Sequence, residues 1–213
     1  MQGRVSVNDV PASLGMRADP EADRITVDGK PLPQQSSSVY LMLNKPRGYV
    51  TTLSDERGRK TAASLVECGC RVYPIGRLDC ASEGLLLFTN DGEFANRLMH
   101  PRGSVEKEYE VTVRGALDTA QSLLQRRVVL DGVPIREPKV RLLRMGEEKA
   151  TFSVTICEGR NRQIRRMCEL AGLEVARLRR VREGTLALGM LRPGAWRYLT
   201  AEEINELRRE TEA

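Results

Sequence analysis

One carboxylate-bearing segment is the part of this sequence best suited to chemistry. Asp79 lies in a short polar stretch that runs directly into Leu85 to Phe88, an apolar run long enough for a buried strand. A polar side chain on a loop held by a rigid sheet is the usual layout of a reactive site. From local sequence alone, Asp79 also suits a turn or a helix cap, and Glu83 also suits a solvated turn.

Other common catalytic arrangements find little support. His100 is the single histidine, so a Ser-His-Asp or Cys-His site would depend on that one residue. Cys68 and Cys70 have the wrong spacing for a structural zinc pair, and no second pair accompanies them. The sequence also lacks a Walker-type phosphate loop and a dinucleotide-binding fingerprint. We therefore predict neither a metal site nor a cofactor.

Helix geometry separates three arginines in a strongly basic segment. A helix is predicted from Asn161 to Ala171, and at about 100° per residue its apolar stripe consists of Ile164, Met167, Cys168 and Ala171. Arg165 lies at the edge of this stripe, so its guanidinium should be half buried and needs a carboxylate or phosphate partner. Arg162 and Arg166 point away from the stripe, and we predict that they face solvent and bind phosphate.

The charge of the chain favours a polyanionic partner. Lys and Arg outnumber Asp and Glu by 34 to 29 among 213 residues, for a net charge of +5. Eight arginines form one cluster: Arg160, Arg162, Arg165, Arg166, Arg177, Arg179, Arg180 and Arg182. Such a cluster is typical of a phosphate-binding surface. Aromatic residues make up only 4%, which argues against recognition mainly by base stacking.

The sequence also predicts a cytoplasmic protein. No apolar run approaches the roughly 20 residues that cross a bilayer, and the N-terminus lacks the segments of a secretory signal. The five cysteines are an odd number, which is typical of reduced thiols rather than of a disulfide framework. We therefore predict no membrane association.

The elements that must position these side chains begin with strands. Short apolar pairs before Asn8-Asp9 and before Asp28-Gly29 predict two small hairpins. The apolar run Tyr40–Leu43 predicts a buried strand, with a basic turn from Asn44 to Gly48 after it. Alternating apolar and polar residues predict two half-buried strands, one around Tyr109, Val111 and Val113 and one from Ala150 to Ile156.

Helices complete the prediction. Asp91 is predicted to cap a helix that runs through Arg97 and is ended by Pro101. Thr200 and Glu203 form a capping box before a C-terminal helix. Strands and helices are mixed without strict alternation, which predicts an α+β fold with a mixed, mostly antiparallel sheet and flanking helices.

Four ordered segments resemble one enzyme family. They are the motif Gly76-Arg77-Leu78-Asp79 with its continuation from Ser82 to Gly92, the turn from Leu43 to Gly48, the strand start Lys107-Glu108-Tyr109, and the stretch from Glu158 to Met167. In order and spacing they are similar to segments of the RsuA/RluB-type ribosomal RNA pseudouridine synthases. The resemblance covers roughly Val39 to Thr200 and implies the pseudouridine synthase fold.

The resemblance also implies roles for individual residues. Asp79 would be the essential catalytic residue, and Tyr109 would pack against the target base and transfer a proton. Arg165 would form a salt bridge to Asp79, in agreement with its place on the helix. Arg77 would help to extrude the uridine, and the remaining RNA-binding residues are predicted to be Lys45, Arg47, Arg160, Arg162 and Arg166.

The N-terminal residues depart from the family pattern. Family members often begin with a complete RNA-binding module of the ribosomal-protein S-four type, which consists of two helices followed by small strands. Here the segments from Gly3 to Asn8 and from Arg24 to Lys30 resemble only its strand half. We therefore predict a partial RNA-binding module over residues 1–33, a linker over 34–38 and a catalytic domain over 39–213.

Together these observations predict a monomeric enzyme that isomerises uridine in ribosomal RNA to pseudouridine, with a catalytic aspartate and without a cofactor. A glycosidase using Asp79 and Glu83 as a carboxylate pair is the enzymatic alternative. Sugar sites usually need several aromatic platforms, however, and Trp196 is the single tryptophan. The non-enzymatic alternative is an RNA-binding or ribosome-assembly factor that keeps the fold and has lost activity.

Overall fold

A computed structural model of the chain describes residues 3–19, 22–31, 37–100 and 105–212. The chain divides into two compact units, Met1–Ser37 and Ser38–Ala213. The predicted linker over 34–38 lies mostly outside the described residues. The three-part division of the chain, with a partial RNA-binding module at its start, stays a prediction.

The first unit contains two small hairpins, as predicted. Its strands are β1 (Val5–Val7), β2 (Val10–Pro11), β3 (Ile25–Val27) and β4 (Lys30–Pro31), in the order β2-β1-β3-β4. Both hairpin turns have left-handed backbone, with φ of 50° and 65° at Asn8 and Asp9 and of 54° and 72° at Asp28 and Gly29. Asn, Asp and Gly tolerate this conformation best, so the turn residues determine where these strands reverse.

The second unit holds the remaining elements. Its strands are β5 (Tyr40–Lys45), β6 (Tyr73–Ile75), β7 (Glu83–Thr89), β8 (Lys107–Gly115), β9 (Val129–Leu130), β10 (Val133–Pro134), β11 (Lys139–Met145), β12 (Ala150–Ile156), β13 (Leu173–Glu183), β14 (Leu186–Ala187) and β15 (Trp196–Tyr198). Its helices are a short 3-10 helix (Ala63–Leu65), α1 (Gly92–Met99), α2 (Leu117–Leu124), α3 (Gln163–Leu170) and α4 (Ala201–Glu212).

Most of these strands form one large sheet with the order β11-β12-β8-β13-β7-β5-β15, to which β6 and β14 are added beside β7 and β13. The β13–β7 pair is parallel, whereas the other pairs reported along this order are antiparallel. The predicted α+β fold with a mixed, mostly antiparallel sheet is therefore confirmed. The pair β9–β10 forms a separate hairpin.

Apolar side chains cover the large sheet on both faces. Along β5, Leu41 and Leu43 belong to one core cluster, whereas Tyr40 and Met42 belong to the other. This alternation follows from the period of two in a strand. Helices α2 and α3 pack on the first cluster, and α1 and α4 contribute to the second.

The predicted helices are confirmed with small shifts in their ends. The carboxylate of Asp91 accepts a hydrogen bond from Phe94 N and caps α1. The predicted end of this helix at Pro101 lies outside the described residues. At α4, Thr200 N donates to Glu203 and Glu203 N donates to Thr200, which confirms the capping box.

Two predicted boundaries are wrong. Residues Asn44 and Lys45 belong to β5 rather than to a basic turn, because their backbone pairs with Leu85 and Gly84 of β7. The helix predicted from Asn161 begins only at Gln163. Arg162 has a left-handed φ of 50°, so the helical geometry used to orient it does not apply.

Candidate active site

Asp79 lies on the loop between β6 and β7, and neighbouring segments hold this loop in place. Thr51 Oγ1 donates to the carbonyl oxygen of Leu78 at 2.7 Å and accepts from Leu78 N at 3.1 Å. Gly48 N donates to the carbonyl oxygen of Cys80 at 2.8 Å. The residues on both sides of Asp79 are thus fixed by the segment that follows β5, and the carboxylate is presented from a constrained backbone.

Two arginines approach the same oxygen of Asp79. Arg165 Nε and Arg162 Nη1 each lie 3.8 Å from Asp79 Oδ2. The Arg165 side chain is 13% exposed, whereas that of Arg162 is 52% exposed. Both separations exceed a hydrogen bond, so Asp79 is not tied into a bidentate pair and its carboxylate stays available to a substrate.

Arg165 also contacts the loop that carries Asp79. Its Nη2 donates to the carbonyl oxygen of Ala81 at 3.0 Å, and it lies 3.4 Å from Ser82 Oγ. Burial lowers the pKa of Arg165, the charge of Arg162 lowers it further, and Asp79 opposes both effects. The half-buried position predicted for Arg165 is therefore present in the structure.

Tyr109 projects from β8 into the same region. It is 8% exposed, and burial is the main cause that raises the pKa of its hydroxyl. A cleft of about 310 Å³ is lined by both Asp79 and Tyr109, with Arg77, Arg160 and Arg162 among its other lining residues. Leu78, Ile156, Ile164 and Leu178 supply its apolar surface. Such a cleft suits a flat polar ring with a phosphate near its rim.

The other predicted RNA-binding residues differ in their exposure and in their contacts. Arg77 is exposed and lines this cleft and a second one of about 380 Å³ that Asp79 also lines. Arg47 is exposed, with Nη1 3.5 Å from the carbonyl oxygen of Ala176. Arg160 is partly buried, and its Nε lies 3.6 Å from Glu158 Oε2.

The predicted RNA contact of Lys45 is wrong. Its side chain is fully buried, and Nζ donates to the carbonyl oxygens of Pro46 at 3.0 Å and Tyr49 at 2.8 Å. Burial lowers the pKa of Lys45 to about 8. A buried ammonium with two backbone acceptors stabilises the turn after β5 and does not reach a phosphate.

Arg162 is exposed, as predicted, but Arg166 is only partly exposed, and both lie near carboxylates that the helix pattern did not predict. Arg162 is half exposed but contacts Asp79, because its left-handed backbone takes it off the helix on which it was placed. Arg166 forms a bidentate pair with Asp131, at 2.7 and 2.9 Å. Asp131 follows β9 and is remote in sequence, so the helix pattern carried no signal for this partner.

Sequence reasoning missed a group of buried and partly buried charges on β8 and β13 near Tyr109. Arg180 and Glu183 on β13 are both 2% exposed, and Lys107 on β8 is 17% exposed. The sequence signal was ambiguous, because Arg180 belongs to a basic run that resembled a phosphate-binding surface. Glu183 ends the same strand and is the cue that a carboxylate lies close by.

The structure does not favour the glycosidase alternative, because Glu83, its second carboxylate, is already paired. Arg177 Nε donates to Glu83 at 2.6 Å, and the Glu83 side chain is 16% exposed. Glu83 is thus engaged in an ion pair at the start of β7. Among the described residues, no group of three or more His, Cys, Asp or Glu side chains is arranged to hold a metal ion.

A loop carboxylate and a buried phenol line one cleft with arginines around it, an arrangement that suits an enzyme whose substrate carries phosphate. The chain belongs to the RNA pseudouridylate synthase family, whose model matches residues 39–170. An uncharacterised RNA pseudouridine synthase of Aquifex aeolicus is 40% identical over 97% of this chain and 84% of its own length. A ribosomal large subunit pseudouridine synthase B of Bacillus subtilis is 40% identical over 97% of this chain and 86% of its own length.

The fold agrees with this family. A crystal structure of a pseudouridylate synthase matches with a TM-score of 0.73 and 29% identity, over 97% of this chain and 89% of that one. An archaeal Nop10–Cbf5 complex matches with a TM-score of 0.51 and 17% identity over 70% of this chain, which shows a shared fold. The chain is therefore an RNA pseudouridine synthase, as its motifs predict. In the part of the chain that the structure describes, no helix is long and apolar enough to cross a membrane.

Proposed function

We propose that this enzyme isomerises uridine in ribosomal RNA to pseudouridine, with Asp79 as its catalytic carboxylate and without a cofactor. The observation that carries the proposal is the cleft shared by Asp79 and Tyr109, in which two arginines lie 3.8 Å from Asp79 Oδ2. The name of the Bacillus subtilis relative makes large-subunit ribosomal RNA the first substrate to test. A cytoplasmic location and a monomeric state are part of the same proposal.

The reaction is an isomerisation and needs no electron transfer. The bond from the ribose to a ring nitrogen of uracil breaks, the base rotates, and a bond forms to ring carbon five. The proton on that carbon leaves, and the freed nitrogen gains one. Positioning and a single carboxylate can supply this chemistry, since no group outside the RNA changes its oxidation state.

The side chains of the cleft suit the separate parts of this reaction. Asp79 acts on the sugar of the extruded uridine, and the apolar walls hold the uracil ring. Tyr109, which lines the same cleft, exchanges a proton with the base. Arg77 occupies the space that the uridine leaves in the RNA, and Arg47, Arg160 and Arg162 bind phosphates around it. Extrusion costs a few kcal/mol, which these phosphate contacts offset.

The test is formation of pseudouridine in transcripts of large-subunit and small-subunit ribosomal RNA. The protein is incubated with each transcript, and pseudouridines are mapped by carbodiimide modification and primer extension. We expect a specific uridine to be converted, with no loss of activity after chelation and dialysis. If no transcript gains pseudouridine above the level seen with the Asp79→Asn variant while RNA still binds, the inactive RNA-binding alternative is correct.

A further inference from the structure

Two buried charges, Arg180 and Glu183, and the partly buried Lys107 lie near Tyr109 on strands β8 and β13. In the register of β8 and β13, Arg180 is opposite Tyr109 and Glu183 is opposite Lys107. Directly opposite residues of an antiparallel pair have their side chains on the same face, within contact distance. Charges are costly to bury even when paired, so this arrangement lowers stability relative to apolar residues and calls for a role.

The charges in this group are only loosely compensated. Arg180 Nη2 lies 3.3 Å from Glu183 Oε2, and Lys107 Nζ lies 3.7 Å from Glu183 Oε1. Within the described residues, Arg180 Nη2 and Glu183 Oε2 are buried without a well-aligned hydrogen bond. One carboxylate is thus shared by two cations, and a net positive charge remains behind the tyrosine. An ion pair selected for stability alone would be expected to have closer contacts.

Arg180 lies between β7, the strand that follows the Asp79 loop, and β8, the strand that carries Tyr109. Its Nε donates to the carbonyl oxygen of Leu85 at 2.7 Å, and Leu85 lies on β7, directly after the Asp79 loop. On the opposite side of β13, Arg180 is directly opposite Tyr109 of β8 in the strand register, which brings the two side chains within reach of each other.

The backbone at this crossing is unusually close. A Cβ on Gly84 would lie 2.1 Å from the carbonyl oxygen of Arg180, and Gly84 has a φ of +104°. No other residue fits there without moving β7 away from β13. The close approach keeps the main chain of β7 within reach of the Arg180 side chain.

We infer that Arg180 is a positioning residue for the isomerisation, which holds the Tyr109 hydroxyl in a fixed place relative to Asp79. A guanidinium only donates hydrogen bonds, so in a hydrogen bond between the two groups the phenol oxygen would accept from Arg180 and the phenol proton would be left to point into the cleft. Tyr109 is then presented as a proton donor to the base. This inference rests on the function proposed above and adds a residue that does not itself touch the RNA.

The electrostatics around Tyr109 are consistent with this arrangement. Burial raises the pKa of the Tyr109 hydroxyl, the charge of Arg180 opposes that rise, and Glu183 and Asp79 add to it. The cation therefore moderates the rise in the pKa of a buried phenol, while burial keeps the phenol protonated before the reaction.

A double-mutant cycle separates this role from a purely structural one. Arg180→Met is compared with the unmodified chain, and again in a Tyr109→Phe background, by single-turnover rate and by RNA affinity. We expect a rate loss of about tenfold or more in the first comparison, with affinity unchanged within about twofold. In the Tyr109→Phe background, Arg180→Met should cause no further loss. An equal fold loss in both backgrounds overturns the inference.

Folding is controlled separately, because Arg180→Met leaves Glu183 with Lys107 as its remaining partner. The combined variant Arg180→Met with Glu183→Gln removes both charges at similar volume, and a wild-type rate in this variant also overturns the inference. Arg180→Lys keeps the charge and should recover part of the rate. Val113→Ala, a core change on the same strand as Tyr109, serves as the destabilised control and should keep its rate.

The outcomes also distinguish a failure of this inference from a failure of the proposed function on which it rests. Absence of pseudouridine with the unmodified chain contradicts the proposed function itself. Normal activity in the unmodified chain, together with losses from Arg180→Met that are independent of Tyr109, contradicts only the role of Arg180.

Discussion

Arginines are equally dense in two segments of the sequence: the segment before and within α3, and strand β13. The arginines of the two segments have different partners. Arg162 and Arg165 lie 3.8 Å from Asp79 at the cleft. The arginines of β13 are instead matched with carboxylates of their own or neighbouring strands: Arg177 with Glu83, Arg179 with Glu110, Arg180 with Glu183, and Arg182 with Glu106 and Glu108.

The difference follows from the two kinds of backbone. In the middle of a sheet, each side chain has cross-strand neighbours on both sides, so a charged strand is stable when the adjacent strands carry the opposite charge. A loop that opens onto a cleft has few such neighbours. Arginine density alone therefore does not mark an RNA-binding surface, and the exposed arginines that line the cleft are better placed to bind phosphate.

The largest expected effect is that of Asp79→Asn, which removes the carboxylate around which the first set of arginines gathers. The single-turnover rate of pseudouridine formation should fall by at least about a thousandfold. RNA affinity should stay within about twofold, because the change removes no cation. A residual rate within tenfold of the unmodified enzyme would rule out Asp79 as the catalytic residue.

Arg165→Ala is expected to have the next largest effect. The variant loses the contact with Asp79 and the hydrogen bond to Ala81, so the loop is less well held and the rate should fall by about 10 to 100-fold. Urea denaturation should show a loss of about 1 to 3 kcal/mol, since Asp79 is one-third exposed and the pair is not fully buried.

Arg165→Lys provides the matched control for this change. It keeps the positive charge but loses the planar fork, so it should retain part of the rate. If Arg165→Ala weakens RNA binding and leaves the single-turnover rate unchanged, Arg165 belongs with the phosphate-binding residues rather than with Asp79.

Arg162→Ala should have a moderate effect, seen mainly in RNA affinity. Its guanidinium is half exposed at the cleft, so its loss should weaken binding about 3 to 10-fold and lower the salt dependence by about one counterion. Filter binding across a range of salt concentrations measures both. Arg166→Ala should change RNA affinity less, because Arg166 is already paired with Asp131. A larger affinity loss for Arg166→Ala than for Arg162→Ala would show that RNA displaces this pair.

The smallest effect is expected for Arg179→Gln on β13. Its contact with Glu110 is 3.6 Å long and both side chains are partly exposed, so unfolding should change by less than about 1 kcal/mol. RNA affinity and rate should both stay within about twofold. An affinity loss as large as that of Arg162→Ala would show that β13 contacts the RNA and would remove the distinction between the two regions.

The sequence by itself determined the local elements and the enzyme family. Hairpin turns at Asn8-Asp9 and Asp28-Gly29, the cap at Asp91 and the alternation along β8 depend on residues near one another in the chain. Local backbone preferences and periodicity carry enough information for such features. The ordered motifs around Asp79 likewise predicted the enzyme family.

Only the tertiary structure decided which charges are free. The partner of Arg166 is 35 residues away, and the contact between Arg180 and Leu85 spans 95 residues. From the sequence, Lys45 was predicted to lie in an exposed basic turn. In the structure its strand pairs with β7 and its side chain is buried. Electrostatic roles depend on distance and burial in space, and strand order and loop packing set both.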